Sequence, residues 1–160
     1  MERRILSGLL AIGLGLLPVV FKRDKLKDWI IIFFLKGFLS SFLDSTVTKQ
    51  KKVSYPVRFL PEYFRINVLF DYLLFPITCV AYNRLTYHSN AIGIFLKAFL
   101  FSIPMTVTEV IFERNTKLIK FHNGWRWYDT LLSETAIFLF IRIFIGAVRK
   151  SINQNPSEDE

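Results

Sequence analysis

The sequence predicts an all-α fold, a polytopic bundle of transmembrane helices with five spans, or with four spans and one re-entrant segment. The 160-residue chain is 52% hydrophobic and has a mean hydropathy of +0.34. Its apolar residues fall in blocks of about 17 to 22 residues, the length that a helix needs to cross a bilayer core of about 30 Å. Basic and aromatic residues fill the connectors between these blocks, as expected at membrane surfaces.

The first predicted span, residues 5–21, is a run of 17 residues without a charge that follows two arginines. A secretory signal peptide is the alternative interpretation of such a run. The run ends in Leu-Pro-Val-Val-Phe, however, and not in the small residues of a cleavage site. We therefore expect a retained helix, which at about 25 Å is only just long enough to cross the membrane.

The other predicted spans are about residues 29–47, 64–82, 91–112 and 129–148. The long connector 48–62 contains two prolines and two aromatic residues, and two more aromatic residues follow it directly, which predicts a segment lying in the headgroup layer. Trp125, Trp127 and Tyr128 suit an interfacial aromatic belt before the last span. Residues 1–150 are thus expected to form one domain, and the acidic tail 151–160 is predicted to be disordered.

Seven ionisable residues inside the spans are the candidate site residues: Lys36, Asp44, Asp71, Lys97, Glu109, Glu134 and Arg142. Insertion scales place a charge at the centre of such a helix about 2.5 to 3.5 kcal/mol uphill, so these side chains must face one another, water or the membrane surface. We expect an intramembrane charge network. It either fixes the pairing of the helices or forms a polar pathway for an ion, a proton or a lipid headgroup.

Depth in the membrane predicts which of these charges meet. Lys36 and Asp71 fall near the middle of adjacent, antiparallel spans, and we expect a salt bridge between them. The remaining acids, Asp44, Glu109 and Glu134, are expected nearer one membrane face.

The other two cations, Lys97 and Arg142, fall in the opposite half of the membrane without an obvious acid. They either extend to the surface or border a polar cavity.

An internal similarity has two interpretations. Residues 34–41 and 95–102 agree at six of eight positions. A duplicated two-helix unit would explain this agreement and would give spans two and four the same orientation. The alternative is chance recurrence of Phe, Leu and Ser in apolar helices.

The common sequence signatures of catalytic, metal and cofactor sites are absent. The sequence has no Gly-rich phosphate loop, no His-Glu-x-x-His and no Gly-x-Ser-x-Gly. Its single cysteine, Cys79, lies in an apolar span, and His88 and His122 lie in different connectors, so a metal site is not expected. We predict no cofactor and no enzymatic activity, with a lipid-modifying enzyme as the remaining catalytic alternative.

The net charge of +8 is carried mainly by connectors that flank apolar spans. This placement favours anionic lipid headgroups as partners and argues against nucleic acid. More Lys and Arg residues fall on the side of the amino terminus, which predicts a cytoplasmic amino terminus and a carboxyl terminus outside. The excess disappears if the first segment does not cross the membrane.

Segments along nearly the whole chain resemble a group of small multi-pass membrane proteins of spore-forming Gram-positive bacteria. They include Gly-Leu-Gly-Leu-Leu-Pro at 13–18, Tyr-Pro-Val-Arg at 55–58 and Gly-Trp-Arg-Trp-Tyr at 124–128. The resemblance implies a bacterial plasma or spore membrane, with an association with sporulation, and brings no established activity.

Two functional hypotheses follow from these patterns. The first is an accessory or interaction protein that assembles with itself or with another membrane protein through polar helix faces. The alternative is a small transporter or channel with Lys36, Asp71, Lys97 and Glu134 along its pathway.

Overall fold

The computed structural model describes residues 1–21 and 23–154, which form five helices and two short strands. The helices are α1 (Glu2–Val20), α2 (Leu26–Lys49), α3 (Phe75–Leu85), α4 (Ala91–Asn115) and α5 (Trp127–Gln154). A π-helical turn, Phe70–Leu74, leads into α3, so that residues 68–85 are helical without a break. The strands β1 (Val53–Ser54) and β2 (Lys120–Phe121) pair antiparallel.

The helix content confirms the predicted fold class. Four helices, α1, α2, α4 and α5, are long and apolar enough to cross a membrane. The helical segment 68–85 would be about 27 Å long and lies at the centre, since α3 contacts each of the other four helices. The chain is thus a multi-pass helical membrane protein.

Successive helices are antiparallel and run from one end of the bundle to the other. Near its start, α1 packs with Leu6 against Leu69, and near its end the carbonyl of Val20 accepts a hydrogen bond from Arg84 at the end of α3. The helices α2 and α4 share the other direction, since each leads into one of the paired strands β1 and β2, as a duplicated two-helix unit would require. We call the end that carries β1 and β2 the cap end, and the end that carries Arg84 the basic end.

The polar side of α2 faces the interior and its apolar side faces outward. Lys36, Ser40 and Ser41 are buried, whereas Phe34, on the opposite side, is 70% exposed, and Phe38 is similarly exposed. An exposed row of phenylalanines suits contact with lipid, and small polar residues suit close contact between helices.

Gly13 allows α1 to pack closely on the central helical segment. A Cβ atom at this position would lie 2.6 Å from Cδ2 of Leu73, whereas a Cβ at Gly8 or Gly15 would meet no atom within 4 Å. The contact therefore depends on Gly13 and on neither of the other two glycines.

Most predicted boundaries lie within three residues of the helix ends, and two differ by more. The third span was predicted at 64–82, but the helix begins at residue 68, because the carbonyl of Phe64 accepts a hydrogen bond from Arg58 and holds this residue in the connector. The tail 151–160 was predicted to be disordered, but α5 continues to Gln154. The rest of that tail lies outside the described residues.

Candidate functional site

Four carboxyl groups line one small cavity in the half of the bundle near the cap end. They belong to four different helical segments: Asp44 of α2, Asp71 of the π-helical turn, Glu109 of α4 and Glu134 of α5. We call this space the acidic cavity. Its volume of about 20 Å³ is room for about one water molecule.

A buried ion pair crosses from α2 to α5 beside the acidic cavity. The Nζ atom of Lys36 lies 2.6 Å from Oε2 of Glu134, and the lysine side chain is fully buried. The predicted salt bridge between Lys36 and Asp71 is therefore wrong. Asp71 and Glu134 both lie at a depth that would allow a salt bridge with Lys36. Because α2 packs against α5 as well as α3, the salt bridge forms with Glu134 of α5.

Asp71 is buried beside Asp44, whose carboxyl group lies within hydrogen-bond distance of it. Among the described residues, no N–H or hydroxyl group donates to either oxygen of Asp71, and the hydroxyl of Ser40, which also lines the acidic cavity, has no partner. Buried polar groups are nearly always hydrogen-bonded, so each exception needs an explanation. A buried carboxyl group that receives no N–H or O–H hydrogen bond, beside a water-sized space, indicates a site that a proton, a water molecule or a cation can occupy.

The two long connectors form a cap over the acidic cavity. Segments 50–67 and 116–126 are joined through β1 and β2 and by further backbone hydrogen bonds, His122 N–H to the Lys52 carbonyl at 2.7 Å and Val57 N–H to the Lys117 carbonyl at 3.0 Å. Side chains from both segments line the cavity: Val53, Tyr55, Ile119, Phe121 and Trp125. The cap thus separates the carboxyl groups from the aqueous phase.

Tyr55 connects the cap to the acids. Its hydroxyl donates a hydrogen bond to Oδ2 of Asp44 at 2.5 Å. Burial, together with the neighbouring carboxyl groups, raises the pKa of Tyr55 well above its ordinary value. The hydroxyl therefore keeps its proton and remains a donor to Asp44.

The charge balance of the acidic cavity is strongly negative if all four acids are ionised. Among the described residues, Lys36 is the only cation in an ion pair with one of them. Moving an unpaired charge from water into a water-poor interior costs roughly several kcal/mol of free energy. Such groups therefore take up protons or bind cations. Protons or cations are therefore favoured in this cavity.

The other two candidate residues do not join the acidic cavity. Lys97 donates to the Leu85 carbonyl and to Ser89, and Arg142 donates to the Thr86 carbonyl, all toward the basic end. Each cation is thus hydrogen-bonded to backbone carbonyl groups, and Lys97 also to a hydroxyl group, instead of to a carboxylate. Five of the seven predicted site residues therefore meet at the acidic cavity, and two lie apart from it.

Sequence patterns did not reveal the cap. The sequence predicts that connector 48–62, which includes Tyr55, lies in the headgroup layer. The signal was a short alternation, with Val53 and Tyr55 in one connector and Ile119 and Phe121 in the other. Alternation over so few residues is weak, since strands are usually recognised over four or more residues.

Comparisons of the chain with protein-family models, with curated proteins and with solved structures find no match. A function is therefore assigned from the geometry and chemistry of the site.

Proposed function

We propose that the chain is a small membrane transporter that takes up and releases protons at the acidic cavity. The observation that carries the proposal is the set of four carboxyl groups around one water-sized space, with a single lysine as counter-charge. Carboxyl groups within membrane helices are typical of proton relays. The proposal corresponds to the second of the two hypotheses from the sequence, the small transporter or channel.

The burial of the polar helix faces supports transport over assembly. An accessory protein would use these faces to bind a partner. In this chain the polar residues of α2 and α4 are turned inward, including Lys36, Ser40, Ser102 and Thr106. The outward faces are apolar, with Phe38 and Leu100 among their exposed residues, as lipid contact requires.

A proton-flux measurement tests the proposal. The full chain is reconstituted in liposomes that enclose a pH-sensitive dye, a pH gradient is imposed, and the membrane potential is clamped with potassium and valinomycin. We expect the protein to accelerate decay of the gradient. Asp71→Asn should reduce the rate to that of empty vesicles, because the amide keeps the shape but cannot exchange a proton at neutral pH.

Glu62→Gln is the matched control, since this acid is exposed in the cap segment and lies outside the acidic cavity. It should leave the flux unchanged. Equal flux for wild type and Asp71→Asn would contradict the proposal. Absence of flux together with a co-purifying membrane protein would instead favour the accessory role.

A further inference from the structure

An apolar groove opens on the side of the bundle next to the acidic cavity. It lies between the central helical segment and α4, with α1 at its edge, and has a volume of about 430 Å³, within the range of small-molecule pockets. Its walls include Leu9, Leu74, Leu100, Met105 and Phe112. In a bilayer, this groove would face the lipid chains.

Glu109 connects the groove with the acidic cavity. It lines both spaces, as does Phe75, and the same two residues also line a gap of about 10 Å³ between the groove and the cap, where Asn67 lies. The amide of Asn67 is buried without a hydrogen-bond partner. A carboxyl group at the inner end of an apolar groove is costly unless a cation meets it.

The acidic cavity determines the chemistry of that cation. It is water-sized, and neither oxygen of Asp71 receives a hydrogen bond from an N–H or hydroxyl group among the described residues, while the hydroxyl of Ser40 in its wall is free to accept one. A primary ammonium group is about as small as a water molecule and offers three hydrogen-bond donors. A trimethylammonium group is larger and offers none, and a phosphate group would be repelled by the acids.

We propose that the groove and the acidic cavity together bind an amphiphile with an apolar chain and a primary ammonium group. The chain lies in the groove, and the ammonium group binds at Glu109 and the cavity behind it. The inference extends the proposed function, because the ammonium ion and the proton compete for the same carboxyl groups. When the ammonium ion enters, one carboxyl group releases its proton to water, so the charge of the site is unchanged.

Calorimetric titration of the purified full chain in maltoside micelles with decylammonium chloride tests the inference. We expect saturable binding, and titrations in two buffers of different ionisation enthalpy should show that a proton is released. Decyltrimethylammonium and decanol have the same chain length. Each should bind at least about tenfold more weakly, because the first cannot donate hydrogen bonds and the second has no charge.

Two pairs of variants locate the ligand. Glu109→Gln should weaken decylammonium binding at least about tenfold, whereas Glu113→Gln, one turn further along α4 and outside both spaces, should not. Met105→Trp fills the groove and should weaken binding of decylammonium but not of ethylammonium. Val107→Trp, on the exposed side of the same helix, should change neither.

The outcomes separate this inference from the proposed function. If decanol binds as tightly as decylammonium, the groove holds an apolar chain only and the inference is wrong. It is also wrong if Glu109→Gln and Glu113→Gln bind alike while both keep the helical circular dichroism of the wild type. Proton flux without amine binding overturns the inference alone, and specific amine binding without proton flux supports it while contradicting transport.

Discussion

Lys36 is the residue on which the charge balance of the acidic cavity depends. Its ammonium group is fully buried and pairs with Glu134, while three further acids line the same space. Cation and acid come from residues 98 positions apart. The pair therefore fixes α2 against α5 as well as supplying positive charge to the cavity.

We expect Lys36→Met to lower the free energy of unfolding by about 3 to 5 kcal/mol, because Glu134 is left buried without a counter-charge. Lys36→Met combined with Glu134→Leu should recover most of this loss, since two apolar side chains need no partner. Reversible unfolding of the purified protein in mixed micelles measures both values.

Lys97→Met is the control for this pair of replacements. Lys97 donates to a carbonyl and to a hydroxyl near the basic end and pairs with no described acid, so its loss should be smaller. If the doubly substituted protein is as unstable as Lys36→Met, the ion pair does not account for the stability of this contact.

At the residue scale, the sequence predicted that charges would meet but not which ones. Burial of Lys36 followed from the cost of a charge in lipid, and that argument holds for any arrangement of helices. The choice between Asp71 and Glu134 depends on which helices are neighbours and how each is rotated about its axis. Depth along a span contains no information about either.

At the scale of the elements, α1 is attached to the bundle by few buried residues. Those on its inner side, Leu6, Gly13 and Val20, are seven apart, so a residue of α1 is buried only at every second turn. Its two ends are held by the cap end and by Arg84, and its middle is held by Gly13.

Gly13→Leu should separate the middle of α1 from the central helical segment, because the added side chain meets Leu73 and Leu74. We expect a loss of about 1 to 3 kcal/mol, the usual range for overpacking, measured as a lower thermal unfolding temperature in micelles. Gly15→Leu is the control and should show no loss, since a Cβ there meets no atom within 4 Å. Equal effects of the two replacements would contradict the packing seen here.

Helices were predictable from the sequence because the bilayer dictates their length. The cap was not, because its two strands are two residues each and are held by contacts between segments about 65 residues apart. The helical segment 68–85 begins four residues later than the predicted third span. Phe64, an aromatic residue of the cap, is apolar enough to be included in the span predicted from hydropathy.

For the whole molecule, the charged side chains packed between the helices differ between the two ends. The acidic cavity lies toward the cap end, whereas Arg84, Arg142 and the pair of Arg149 with Asp28 lie toward the basic end. A bundle with this asymmetry presents different chemistry to the two sides of a membrane. Its orientation therefore decides from which compartment the acidic cavity exchanges protons.

We expect the cap end to face the cytoplasm, as the distribution of Lys and Arg predicts. In bacterial cells, a membrane-impermeant maleimide should label His88→Cys on intact cells but Glu62→Cys only after the membrane is permeabilised. Both positions are exposed at opposite ends of the bundle, and the native Cys79 is fully buried and should not react. The reverse labelling pattern would place the cap outside.

The π-helical turn at Phe70–Leu74 has a consequence for how the chain could change. Such a turn accommodates one residue more than regular helix does. If Tyr72 were deleted, the turn could close into α-helix while residues 75–85 kept their places. Asp71 would then move about 100° around the axis, into the direction of the present Tyr72, which is 45% exposed. The deletion of one residue would thus move the carboxyl group of Asp71 from the cavity into contact with lipid.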